Sequence, residues 1–138
     1  MMRTPILVSV LLLVTACLVA AAEPQYDTLK IVMPQGDADA GRVVFVDLYC
    51  TSCHAVAGET GLPAPISANP GPTLDPSHAA QEPSKLASSI VAPSHVITDE
   101  VRAKAEGTLS PMGDYSEAMT VRQLADVVAY LRSIGSTK

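Results

Sequence analysis

The stretch LYCTSCH, Leu48 to His54, sets two cysteines and a histidine within five residues. Cysteines three positions apart at a helix end aim their sulfurs to one side, at the spacing that bonds the two vinyl groups of one haem. The adjoining His54 then presents a ring nitrogen to the iron from that same side. Two other chemistries use the same residue types: half of a zinc site, and a redox dithiol followed by an incidental histidine. A structural zinc site needs four protein ligands, and the remaining histidines, His78 and His95, form no second paired cluster. A thioredoxin-like dithiol expects a strand–helix–strand setting, and strand signals around the motif are absent. The expected chemistry is haem attachment through Cys50 and Cys53, with His54 as the proximal iron ligand.

A low-spin iron that carries electrons also needs a sixth ligand. TLSPMGDYS, Thr108 to Ser116, offers Met112 between Pro111 and Gly113, in a loop rather than on an apolar helical stripe. A thioether is a soft ligand that favours reduced iron and raises the reduction potential. A single methionine ordinarily fills core. Met119, beside the start of the last helix, fits that role, and Met33 lies upstream of the motif. His78 and His95 would give bis-histidine ligation instead, but both follow Pro-Ser in contexts typical of turns and helix ends. Met112 is the expected distal ligand.

These residues must be held by a small domain, because 138 residues leave room for one. The beginning of the chain reads differently from the rest. Arg3, an apolar run from Ile6 to Ala22, and then Glu23 and Pro24 follow the order of an export signal. Residues 1–22 are read as that signal, 23–36 as a connector and 37–138 as the domain. Ala20-Ala21-Ala22 suits ordinary cleavage. VTAC, Val14 to Cys17, resembles a bacterial lipobox and would make Cys17 a lipidated first residue. An uncleaved anchor is the third reading, since the run is near the lower limit for spanning a bilayer. Each reading places the domain outside the cytoplasm.

Composition sharpens the same picture. With 9 basic and 14 acidic residues the net charge is −5, and Arg3 leaves with the signal to make it −6. An acidic surface argues against nucleic acid and against adsorption on anionic lipid. Beyond the signal, Cys50 and Cys53 are the only cysteines, so an exported domain with no Trp and one Phe has no disulfide framework to support its core. A large apolar cofactor would supply the missing centre.

The elements that must position the site are helical. QYDTLKIVMPQGD is a connector with a strand-like LKIVM. DADAGRVVFVDLYC reads as a helix capped by Asp37 or Asp39, with Gly41, Val44, Phe45 and Leu48 on one face. Gly41, one turn before Phe45, suggests close approach by another backbone. Six prolines from Pro63 to Pro83 predict an irregular loop that needs something to wrap around. EPSKLASSIVAP predicts a short helix begun by Pro83 and stopped by Pro93, and TDEVRAKAEG a further helical segment ending at Gly107. MTVRQLADVVAYLRSIG carries the strongest helix signal. Thr120 and Gln123 make a capping box, Val121, Leu124, Val127, Val128 and Leu131 form the stripe, and Gly135 ends it.

With these pieces in order, the chain resembles a monohaem class I cytochrome c of bacterial type. The resemblance rests on GDADAGRVVFVDLYCTSCH, GPTL (Gly71 to Leu74), SPM (Ser110 to Met112) and LADVVAYL (Leu124 to Leu131), which follow the family's order across most of the domain. It implies a small all-α fold with helices and Pro-rich loops around one covalent haem c. It further implies thioethers at Cys50 and Cys53, axial ligands His54 and Met112, and a Pro72 carbonyl that accepts a hydrogen bond from the other ring nitrogen of His54. Gly41 and Phe45 would meet the terminal helix near Tyr130. Two departures stand out. The Trp that reaches a haem propionate in several members is missing, which leaves that role to a donor such as Tyr49 or Tyr115. The lysine-rich face of mitochondrial-type members is missing too.

The function expected is one-electron transfer in a periplasmic or membrane-associated redox chain, by a monomer with redox proteins as donor and acceptor. Membrane contact would come only from a retained N-terminal anchor. No nucleophile–base pair, paired catalytic carboxylates or phosphate-binding glycine loop argues for an enzyme. The alternative is a haem sensor or peroxidase-like domain with an open distal site.

Overall fold

The computed structural model describes residues 25–105 and 107–136. The segment read as an export signal, residues 1–22, and Cys17 of the expected lipobox lie outside them. Among the described residues there are five α-helices: α1 (Ala38–Asp47), α2 (Pro76–Ala79), α3 (Pro83–Val91), α4 (Asp99–Arg102) and α5 (Val121–Ser133). A single 3-10 turn, Cys50–Ser52, follows α1. One isolated parallel bridge pairs Val56 with Leu74. None of these helices is long and apolar enough to cross a membrane.

The centre of the fold is the crossing of α1 and α5. Asp37 caps α1 by accepting from the Ala40 amide at 2.8 Å. Thr120 and Gln123 form the reciprocal box at the start of α5, which satisfies amides that have no partner inside a helix. Gly41 faces the backbone of Asp126, where a Cβ would collide with the Asp126 carbonyl and come within 2.9 Å of Tyr130 Cβ. That absence of a side chain is what lets the helices close. Phe45 and Tyr130 then stack as tilted rings with centroids 5.5 Å apart. Val127, Val128 and Leu131 from α5, Ile134 at its C-cap, Leu86 and Ile90 from α3, and Val56 and Leu74 complete the core.

A buried carboxylate locks the crossing. Asp126 sits within the apolar face of α5 and accepts the Asp37 amide at 2.8 Å, so the positive end of the α1 dipole faces a negative group. One turn earlier, Arg122 Nη1 donates to the Gln35 carbonyl at 2.8 Å. Gly36 lies so close to Ala125 that a Cβ would strike its carbonyl. These contacts hold the connector against α5.

Several features differ from the sequence expectation. The strand-like LKIVM forms no strand, and Val32 is fully exposed at 100 %. The Pro-rich loop contains α2, because Asp75 caps it and Pro76 occupies its first turn, a position where a missing amide costs nothing. Val121 is 59 % exposed rather than part of the buried stripe, since as the first residue of α5 it lies beyond the crossing.

Candidate functional site

The expected helix into the motif stops three residues short of Cys50. The Leu48 amide closes the last turn on the Val44 carbonyl at 2.9 Å. Tyr49 then adopts a left-handed conformation, φ 58°, as the one non-glycine among the described residues with positive φ. That conformation costs a residue with a Cβ about 1–2 kcal/mol. It turns the chain so that Cys50 starts a new 3-10 turn, in which the Cys53 and His54 amides both donate to the Cys50 carbonyl, at 3.2 and 3.0 Å. Both sulfurs are unpaired and half-buried.

The Pro-rich loop wraps this turn. The Ile66 and Ser67 amides donate to the Ser52 carbonyl, each at 3.0 Å, and the Gly71 amide donates to the Cys53 carbonyl at 2.9 Å. The Ala57 and Leu74 amides close the bridge on Leu74 and Ala55, each at 2.8 Å. The loop's prolines lower the entropy lost in ordering it.

His54 is the best-oriented group of the site. Its Nδ1 lies 2.9 Å from the Pro72 carbonyl oxygen. A carbonyl can only accept, so Nδ1 carries the proton and the lone pair is left on Nε2, free to bind a metal. The ring rests on Gly71, where a Cβ would lie 2.8 Å from Nδ1 and 2.9 Å from Nε2. Any larger residue at position 71 would tip the imidazole. This part of the cradle was not anticipated; a glycine directly before Pro72 was its only sequence signal.

Met112 belongs to another loop, which Tyr115 ties back to the motif. The half-buried Tyr115 hydroxyl donates to the Leu48 carbonyl at 3.2 Å. Burial, with a smaller effect of the neighbouring Cys50 and Cys53, raises its pKa above the usual phenol value. Its proton is thus committed to backbone, and Tyr49 is 76 % exposed. Met119 packs against the core. His78 is taken up in the box around α2, 2.9 Å from Asp75 Oδ1. His95 is exposed, with Nδ1 donating to the Ala92 carbonyl at 2.7 Å.

The arrangement discriminates among the three chemistries of the motif. Burial pushes the Cys50 thiol up to about 11, opposite to the lowered thiol that disulfide exchange needs. Among the described residues, no three His, Cys, Asp or Glu side chains gather where one ion would bind, which leaves zinc without its remaining ligands. The donor set instead fits a haem: two unpaired sulfurs, a proton-defined imidazole and a glycine cradle beneath its ring. A family model described as cytochrome c matches residues 38–135. The chain belongs to the cytochrome c family. A search among curated proteins finds no match to the chain. Membership carries with it a covalently bound c-type haem and haem-based electron transfer, and the Cys-x-x-Cys-His spacing at Cys50, Cys53 and His54 fits that cofactor. The match begins with α1 and ends just past α5, so it takes in the helix crossing, the motif and the Met112 loop.

Proposed function

We propose that the chain is a monohaem electron carrier of bacterial type, in which Cys50 and Cys53 hold the haem by thioethers and His54 and Met112 are the axial ligands. The observation that carries this reading is the fixed imidazole: Nδ1–H committed to Pro72, the ring seated on Gly71, and the Nε2 lone pair left over. When bound, the haem supplies an iron that alternates between ferrous and ferric states. The protein's own residues do the rest. Pro72 fixes the tautomer and strengthens His54 as a donor, Cys50 and Cys53 would hold the haem covalently, and Met112 would favour its reduced state. Nothing in this role makes or breaks a bond of a substrate.

The domain acts outside the cytoplasm, in the periplasm or tethered to the outer face of the membrane through its N-terminal segment, between a redox protein that donates and one that accepts. The apolar run Ile6 to Ala22 supports that placement. Optical spectroscopy of the holoprotein tests the ligand set. The oxidised protein should show the charge-transfer band of a thioether bound to ferric iron, and Met112→Ala should abolish it while leaving the thioether-linked haemochrome spectrum intact. A wild-type spectrum without that band overturns Met112 ligation and favours an open distal site.

A further inference from the structure

The segment that carries Met112 is fixed at both ends by side chains from elsewhere in the fold. Before Met112, the Ser110 amide donates to Ser94 Oγ at 2.9 Å, across 16 residues of chain. Ser110 Oγ in turn accepts the Met112 amide at 3.2 Å, so Ser94, Ser110 and Met112 form one relay from the turn after α3. Behind Met112, the Tyr115 hydroxyl donates to the Leu48 carbonyl at 3.2 Å. That carbonyl belongs to the C-cap of α1, where a helix leaves its last carbonyls without internal partners. Tyr115 satisfies it and joins the Met112 loop to the residue two positions before Cys50. Ser94, Ser110, Met112 and Tyr115 are all half-buried, which shields these bonds from competing water.

The intervening chain has little stiffness of its own beyond Pro111. Gly113 follows Met112 directly and its Cα faces open space, so the backbone there is free to move unless its ends are held. A thioether is a weak, neutral ligand, and its hold on iron depends on how little freedom the loop gains when it lets go.

We propose that Ser94 and Tyr115 are positioning residues for Met112, setting how firmly its sulfur competes with external ligands for the sixth position. This rests on the His54–Met112 ligation proposed above. The test uses the full-chain holoprotein and imidazole as the competing ligand, with imidazole binding read from the shift of the main haem absorption band and displacement of the thioether from loss of its charge-transfer band. Ser94→Ala and Tyr115→Phe should each strengthen apparent imidazole binding about fivefold, the effect of losing one ordinary hydrogen bond. Ser94→Thr, which keeps the hydroxyl, should restore wild-type behaviour. Ser133→Ala serves as control. It removes a hydrogen bond to the Tyr130 carbonyl in α5, and should leave imidazole binding unchanged.

The outcomes separate the two ideas. A bound thioether in the wild type, with Ser94→Ala and Tyr115→Phe indistinguishable from it, overturns the positioning role alone. An equal gain in Ser133→Ala does so as well, since loss of any side-chain hydrogen bond would then suffice. A wild type that takes imidazole as readily as Met112→Ala has no thioether to displace, and overturns the ligation and the positioning together.

Discussion

Gly41→Ala sets a gain in helix propensity against a collision at the centre of the fold. Alanine in place of glycine inside a helix is worth about 1 kcal/mol. At position 41, however, the added Cβ meets the carbonyl of Asp126 and lies 2.9 Å from Tyr130 Cβ. Backbone atoms cannot rotate away as a flexible side chain can, so α1 and α5 must separate. Overpacking of this kind costs about 1–3 kcal/mol. The same separation stretches the bond from the Asp37 amide to the Asp126 carboxylate, a charge-assisted contact worth about 1.5–3 kcal/mol. The collision should win, with a net loss of about 2 kcal/mol. Urea unfolding of the holoprotein measures it. With a slope of about 1–3 kcal/mol per molar, the midpoint should fall by about 1 M at unchanged slope. A Gly41→Ala protein as stable as wild type would refute the claim that the glycine exists for helix contact.

Further outcomes follow from particular contacts. Gly71→Ala should tip the His54 ring off its seat and weaken the Pro72 bond. The expected readout is a lower yield of holoprotein and a shifted reduction potential; unchanged values of both would remove Gly71 from the site. Tyr130→Phe should change stability by less than about 1 kcal/mol, because the buried Tyr130 hydroxyl makes no hydrogen bond of good geometry and has only the nearby Glu59 carboxylate to turn to, so little is lost with it. A loss above about 1.5 kcal/mol in urea unfolding would show that the hydroxyl is bonded. The carboxylates of Asp75 and Asp114 are held below their ordinary pKa, chiefly by the Ser77 and Ser116 hydrogen bonds respectively, with His78 also acting on Asp75. A lowered folded-state pKa gives stability that is complete above the unfolded value near 3.8 and is lost as pH falls below it. Asp75→Asn should therefore flatten the fall in thermal midpoint between neutral and acid pH, and an unchanged slope would remove Asp75 from the acid response.

Much of the site was legible because its chemistry is local in sequence. Cys50, Cys53 and His54 lie within one turn, and residue type with spacing was enough to select the motif's chemistry. Capping signals were local as well: Asp37, Thr120 with Gln123, and Pro83 mark helix starts where the structure has them. Gly41 also announced a crossing, since a helix tolerates glycine poorly without a reason. What escaped is long-range or overshadowed. Asp126 looks like a polar interruption of an apolar stripe until its partner, 89 residues away, is known. The Ser94–Ser110 and Tyr115–Leu48 bonds span 16 and 67 residues, and serines and tyrosines are too common for pairing to be read from type. The α2 helix is hidden among prolines that break regular structure, although Asp75-Pro76 is also a start signal. Tyr49 carried no warning of its left-handed turn, which only the change of direction between α1 and the motif requires.

The central claim is that the sixth position on the iron is closed by Met112, which makes the domain a carrier rather than a sensor. Carbon monoxide added to the reduced full-chain holoprotein tests this most directly, because the gas occupies an open ferrous site at once and displaces a held thioether poorly. With Met112 bound, the reduced spectrum should remain unchanged on mixing, while Met112→Ala should form the carbonyl complex promptly. Prompt complex formation by the wild type would contradict the claim.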